Sequence, residues 1–124
     1  MSLNSKVVLV VDDESALREL FRALLKNLGH QVETADSGAE ALCKLEKLHF
    51  DLVFTDFLMP EMNGEELARE IKKLRPQMSI VLVSGQPPER LSPCFCAVMA
   101  KPFSIDELRS VIASLDLPHP PGTL

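Results

Sequence analysis

A chain of 124 residues with 46% apolar and 25% charged side chains has room for one domain around a single core, and its composition excludes a disordered chain. The net charge of −5, the absence of Trp and Tyr and the lack of any Lys/Arg cluster make nucleic acid a poor partner for this domain. No apolar stretch approaches the roughly 20 residues that span a bilayer, and the first apolar run is too short, and ends on acids, unlike a signal peptide.

Met1-Ser2-Leu3 reads equally as a native start or a vector remnant. Val7-Val8-Leu9-Val10-Val11 is the first predicted strand, and it stops on Asp12-Asp13. Leu17, Leu20, Phe21, Leu24, Leu25 and Leu28 then recur at helical spacing, and Gly29 supplies the left-handed residue that ends such a helix. Gln31 to Ala35 alternates, which predicts a half-exposed strand at the sheet edge. Ser37 and Glu40 have the spacing of a capping box for a second helix, with Leu42, Leu45 and Leu48 as its buried face.

Leu52-Val53-Phe54-Thr55 is a third strand ending on Asp56, followed by the loop Phe57 to Gly64. The next helix carries Leu67, Ala68, Ile71 and Leu74 and stops before Pro76. Ser79 to Ser84 is the fourth strand, followed by Gly85. Between it and Ala97-Val98-Met99-Ala100, Pro87, Pro88 and Pro93 leave room for one helical turn or an irregular loop. The last strand ends on Lys101-Pro102. Ser104 and Glu107 open a final helix with Leu108, Val111, Ile112 and Leu115 inward.

Repeated βα units with continuous apolar strands predict a doubly wound α/β domain, its five parallel strands ordered 2-1-3-4-5. The fourth crossover helix is shortened or irregular. The domain is expected over residues 4–116, with a proline-rich tail or linker at 117–124. Cys43, Cys94 and Cys96 are an odd set without a secretory signal, which fits a reducing, cytoplasmic setting. Cys94 and Cys96 offer two ligands where structural zinc needs four, and His30, His49 and His119 lack matching spacing. The thiols are therefore expected to pack as small apolar groups.

In such a sheet the polar residues at the strand ends share one edge, where open α/β sheets place their ligands. A lone Asp-Asp-Glu is as readily a helix cap as a site, but Asp56 on the neighbouring strand makes three converging carboxylates. At ~5 Å and an effective dielectric near 20, each like-charged pair costs on the order of 3 kcal/mol. Lys101 offsets that repulsion if it reaches all three acids, and a divalent cation adds to it. Oxygen donors favour Mg2+, which commonly also takes a phosphate oxygen. An Asp carboxylate can then act as nucleophile toward phosphorus. The Ser84 hydroxyl donates to phosphoryl oxygens, and Gly85 keeps the adjoining space open.

Val-Asp-Asp-Glu at 11–14, Asp56 with Met59-Pro60-Glu61-Met62-Asn63-Gly64, Ser84-Gly85 and Lys101-Pro102-Phe103 together resemble the receiver domain of two-component response regulators, across residues 6 to 116. The resemblance implies a flavodoxin-like fold in which Asp56 accepts a phosphoryl group from a phosphohistidine of a sensor histidine kinase or phosphotransfer protein. It implies Mg2+ held by the carboxylates of Asp13 and Asp56 and the Leu58 backbone carbonyl, with Asp12 direct or through water. Ser84 and Lys101 would bind the phosphoryl oxygens, and the Lys101–Pro102 peptide would be cis.

Two departures concern output. Many relatives carry an aromatic residue three before the lysine, where this chain has Val98, and the helix before it is cut short. The other readings are an interaction module that works without phosphorylation and a small enzyme on the same fold. The first would be expected to lack an acid, the hydroxyl or the lysine; the second lacks a phosphate-cradling loop or a second general acid. No DNA-reading helices follow, so direct transcriptional output from these residues is not expected. A receiver excised from a hybrid histidine kinase or larger regulator and a stand-alone single-domain regulator both fit the proline-rich end.

Overall fold

A computed structural model describes residues 5–116. The start of the expected domain at residue 4 and the tail at 117–124 lie outside the described residues. The order is β1 (Val7–Val11), α1 (Ser15–Asn27), β2 (Gln31–Ala35), α2 (Gly38–Lys47), β3 (Leu52–Asp56), α3 (Gly64–Leu74), β4 (Ser79–Ser84), β5 (Ala97–Ala100) and α4 (Ile105–Asp116). All strand pairs are parallel, in the order β2-β1-β3-β4-β5. The carboxyl ends of the strands therefore share one edge.

Successive strand residues point to opposite faces, so an apolar run feeds two cores at once. Leu9, Val11, Val53, Ile80 and Leu82 pack under α2 and α3 with Ala41, Leu45, Leu67 and Ile71. Val8, Val10, Phe54, Val81 and Val83 pack under α1 and α4 with Phe21, Leu25, Leu108 and Ile112. Phe21 sits 5.1 Å from Phe54 and 4.8 Å from Phe103, ring centre to ring centre. β2 alternates exposed and buried residues from Gln31 to Glu33, as an edge strand should, and the alternation ends at the buried Ala35.

The helix ends follow local chemistry. Gly29 has φ +95, as its place after α1 requires. Ser104 and Glu107 exchange both bonds of a capping box. The Ser37 box is only half formed: Ser37 Oγ accepts from Glu40 N–H, but the Glu40 carboxylate takes the N–H of Asp36. An unforeseen full box joins Asn63 and Glu66 at the start of α3.

Three leucines assigned to buried faces are exposed. Leu20 is 50%, Leu48 48% and Leu74 38% exposed. Leu20 lies about 100° around the helix from Phe21, which takes the core position. Leu48 follows α2 in extended backbone, and Leu74 is the last residue of α3. Cys43 and Cys96 are likewise exposed, and only Cys94 packs against the core.

Residues 85–96 form an irregular loop, the second of the two expected forms. Phe95 is buried there, with Leu91 and Cys94 packed alongside. Val98 pairs with Leu82 across β4 and β5 and so shares its face, which a helix would otherwise cover. It is left 37% exposed. No helix among the described residues is long and apolar enough to cross a membrane.

Candidate functional site

β1 delivers Asp12 and Asp13 to the shared edge. The Asp12 N–H extends the ladder to Ala35 O at 3.1 Å, and its carbonyl accepts from Arg18 Nη1 at 2.7 Å. Its Oδ1 accepts from Glu14 N–H at 2.9 Å. Asp12 is buried and Asp13 exposed, so the two side chains diverge around the strand end. Capping does not account for both acids. The N-cap of α1 is Glu14, without a side-chain cap bond, and the first turn holds no acid.

Asp56 ends β3. Its Oδ1 accepts from Phe57 N–H at 3.0 Å and from Lys101 Nζ at 3.1 Å. The chain behind it is held by Gly64, whose N–H donates to Phe57 O at 2.9 Å. A Cβ at position 64 would lie 3.0 Å from Phe57 Cα and press on the Asp56 carbonyl, so only glycine permits this approach. Glu61, in the same loop, holds φ +70, an uncommon conformation for a side chain of its size.

Ser84 ends β4. Its Oγ accepts from Gln86 N–H at 3.1 Å, which leaves the hydroxyl proton to donate elsewhere. Lys101 follows β5, its N–H bonded to Ser84 O at 2.9 Å, and the Lys101–Pro102 peptide is cis. Gly85 faces open space, as anticipated. A cavity of about 750 Å3 is lined by Asp13, Glu14, Asp56, Leu58, Ser84 and Lys101 among others. Leu58 exposes 75% of its surface, and its carbonyl accepts no hydrogen bond from the described residues.

The charges are unbalanced. Lys101 Nζ reaches Asp56 and, at 3.5 Å, Asp12 Oδ2. It makes no ion pair with Asp13, so the condition of reaching all three acids is met for two of them. Burial raises Asp12 above the ordinary carboxylate value against the pull of the Glu14 N–H and Lys101, and the Asp56 charge adds to the rise. Burial alone would lower Lys101, but the Asp56 hydrogen bond and the charges of Asp12 and Asp56 more than offset it and hold Lys101 above its usual value. One oxygen of each of Asp12, Asp13 and Asp56 lies within 4.8 Å of the other two. This hard-oxygen set with surplus negative charge fits a divalent cation such as Mg2+. The cysteines join no such group among the described residues.

Residues 8–113 match the model of the response regulator receiver domain. The chain belongs to that family. It is 32% identical to the DNA-binding transcriptional regulator NtrC of Azospirillum brasilense over 98% of its own length, and spans 27% of that protein. It is 31% identical to the response regulator receiver protein CpdR of Brucella abortus, covering 89% of this chain and 96% of CpdR. The response regulator TrrA of Thermotoga maritima, solved in complex with Mg2+-BeF, superposes with a TM-score of 0.82 at 35% identity, covering 89% of this chain and 98% of TrrA.

This receiver therefore brings Asp12, Asp13, Asp56, Ser84 and Lys101 to one edge, as its sequence indicated. Sequence reasoning missed Arg18, Gly64 as the support of Asp56, and Glu14 in the cavity wall. An arginine one turn into an amphipathic helix carries no local mark that sets it apart from a solvated charge.

Proposed function

We propose that this receiver accepts a phosphoryl group on Asp56 from a phosphohistidine, with Mg2+ held by Asp12, Asp13, Asp56 and the Leu58 backbone carbonyl. One observation carries the reading: three carboxylates gathered within 4.8 Å, with the lysine ammonium on Asp56 Oδ1. The complex of TrrA with the histidine kinase ThkA supports a kinase as donor; a phosphotransfer protein offers the same phosphohistidine chemistry.

Mg2+ bound there neutralises the carboxylates and the phosphoryl oxygens. The protein's part is positioning and charge. Asp56 Oδ2, without a hydrogen bond from the described residues, attacks phosphorus. A phosphorus–oxygen bond forms, the phosphorus–nitrogen bond breaks, and its electron pair leaves on the imidazole. Lys101 and the Ser84 hydroxyl then hold phosphoryl oxygens. The product is an aspartyl phosphate that changes the domain's conformation, a signalling event and not turnover of a separate substrate. The domain occupies residues 4–116 and works in the cytoplasm, with 117–124 as tail or linker.

The test is labelling by acetyl phosphate. Wild-type protein takes up one acid-stable, base-labile phosphoryl group with Mg2+ and none with a chelator, while Asp56→Asn takes up none. Absence of labelling in the wild type with Mg2+ and donor defeats the reading and leaves the interaction-module alternative.

A further inference from the structure

Asp13 is the least supported member of the acidic cluster. It is exposed, and its carboxylate receives no hydrogen bond from the described residues. Its place within 4.8 Å of Asp12 and Asp56 therefore comes from the backbone. That backbone begins with the Asp12–Asp13 peptide, a planar unit whose carbonyl and N–H turn together. Arg18 Nη1 donates to this carbonyl at 2.7 Å from the first turn of α1, where the Arg18 N–H is itself tied to Glu14 O at 3.0 Å. Such charge-assisted bonds are about twice as strong as neutral ones.

We propose that Arg18 is a positioning residue for the metal site, fixing the Asp12–Asp13 peptide so that Asp13 presents its carboxylate beside Asp56. The inference rests on the Mg2+ site proposed above. It makes a prediction opposite in sign to simple electrostatics. Arg18 is a cation near the site, and its charge alone repels Mg2+, so removing it would tighten binding. Removing the peptide's anchor weakens it.

The experiment titrates Mg2+ into wild type, Arg18→Met and Arg18→Lys, reading the dissociation constant by calorimetry and the metal-free Tm in chelator. Arg18→Met weakens Mg2+ by about tenfold or more, the usual range for losing a partner that orients a ligand. Arg18→Lys, with a donor of similar reach, restores the constant to within about threefold of wild type. The Mg2+ concentration for half-maximal phosphorylation by acetyl phosphate rises in Arg18→Met in parallel, while the rate at saturating Mg2+ stays within about twofold. A merely structural arginine would lower the metal-free Tm without this split. Should Arg18→Met fail to fold, Arg18→Gln, too short to reach the carbonyl, takes its place with the same expected weakening. Mg2+ binding in Arg18→Met as tight as wild type or tighter overturns this inference and leaves the phosphoacceptor reading intact. Failure of the wild type to bind Mg2+ overturns both.

Discussion

Lys101 Nζ stands 3.1 Å from Asp56 Oδ1 and 3.5 Å from Asp12 Oδ2, so one ammonium bridges the ends of β1 and β3 from the end of β5. Both carboxylates are nearly buried, with side-chain exposures of 10% and 4%. Removing one partner of a buried ion pair costs about 3–5 kcal/mol, and the 21% exposure of Lys101 places this one at the lower end or below. Lys101→Met is expected to lose about 1–3 kcal/mol in urea unfolding with chelator present. Millimolar Mg2+ recovers part of the loss by binding only the folded form. An unchanged unfolding midpoint in chelator would show that the bridge contributes nothing.

Gly64 and Gly85 make a matched pair. A Cβ at 64 meets the Asp56 and Phe57 backbone, whereas a Cβ at 85 meets nothing within 4 Å. Gly64→Ala should lose about 1–3 kcal/mol through overpacking and label poorly with acetyl phosphate, because the displaced backbone carries Asp56. Gly85→Ala should fold with wild-type stability. Equal Tm values for the two variants would contradict the account.

The contrast shows what the sequence made legible. Apolar runs ending on polar residues carried the strands, their order and the membership of Asp12, Asp13, Asp56, Ser84 and Lys101, because a parallel sheet turns sequence punctuation into spatial proximity. Close approaches are another matter. Gly64 is constrained by the Asp56 carbonyl, a contact between an element start and a strand end that no local pattern encodes. The same limit misplaced Leu20 and Leu74, since periodicity defines an apolar arc but not where the sheet beneath it stops. Glu40 departed from its box because the Asp36 N–H, one residue earlier, was also within reach.

At the opposite edge of the sheet, Asp51 Oδ2 accepts from Val7 N–H at 2.9 Å and Oδ1 meets His49 Nε2 at 3.2 Å. Burial works to raise Asp51, but the Val7 N–H and His49 outweigh it and lower it below the ordinary value of 3.8. A lowered folded-state value means stability present above the unfolded value and lost as pH falls through the folded one. Asp51→Asn is therefore less stable than wild type at neutral pH, by under about 1 kcal/mol for so exposed a group. The gap closes on acidification below about pH 4. Denaturant midpoints across that range check it, and a gap that persists at pH 2 would assign the effect to packing.

Val98 lies on a partly open part of the β5 face. It is itself 37% exposed, so a larger side chain has room there. Val98→Tyr should change stability by no more than about 0.5 kcal/mol and leave the extent of phosphorylation unchanged. A large loss of either would show that the β5 face is already in use.

The most direct test of the central claim is the identity of the modified residue. Borohydride reduces an aspartyl phosphate to homoserine, so treatment after phosphorylation with Mg2+ marks the acceptor for peptide mass analysis. Homoserine at position 56 and nowhere else is the predicted result. Homoserine at position 12 or 13, or at none, would contradict Asp56 as the phosphoacceptor.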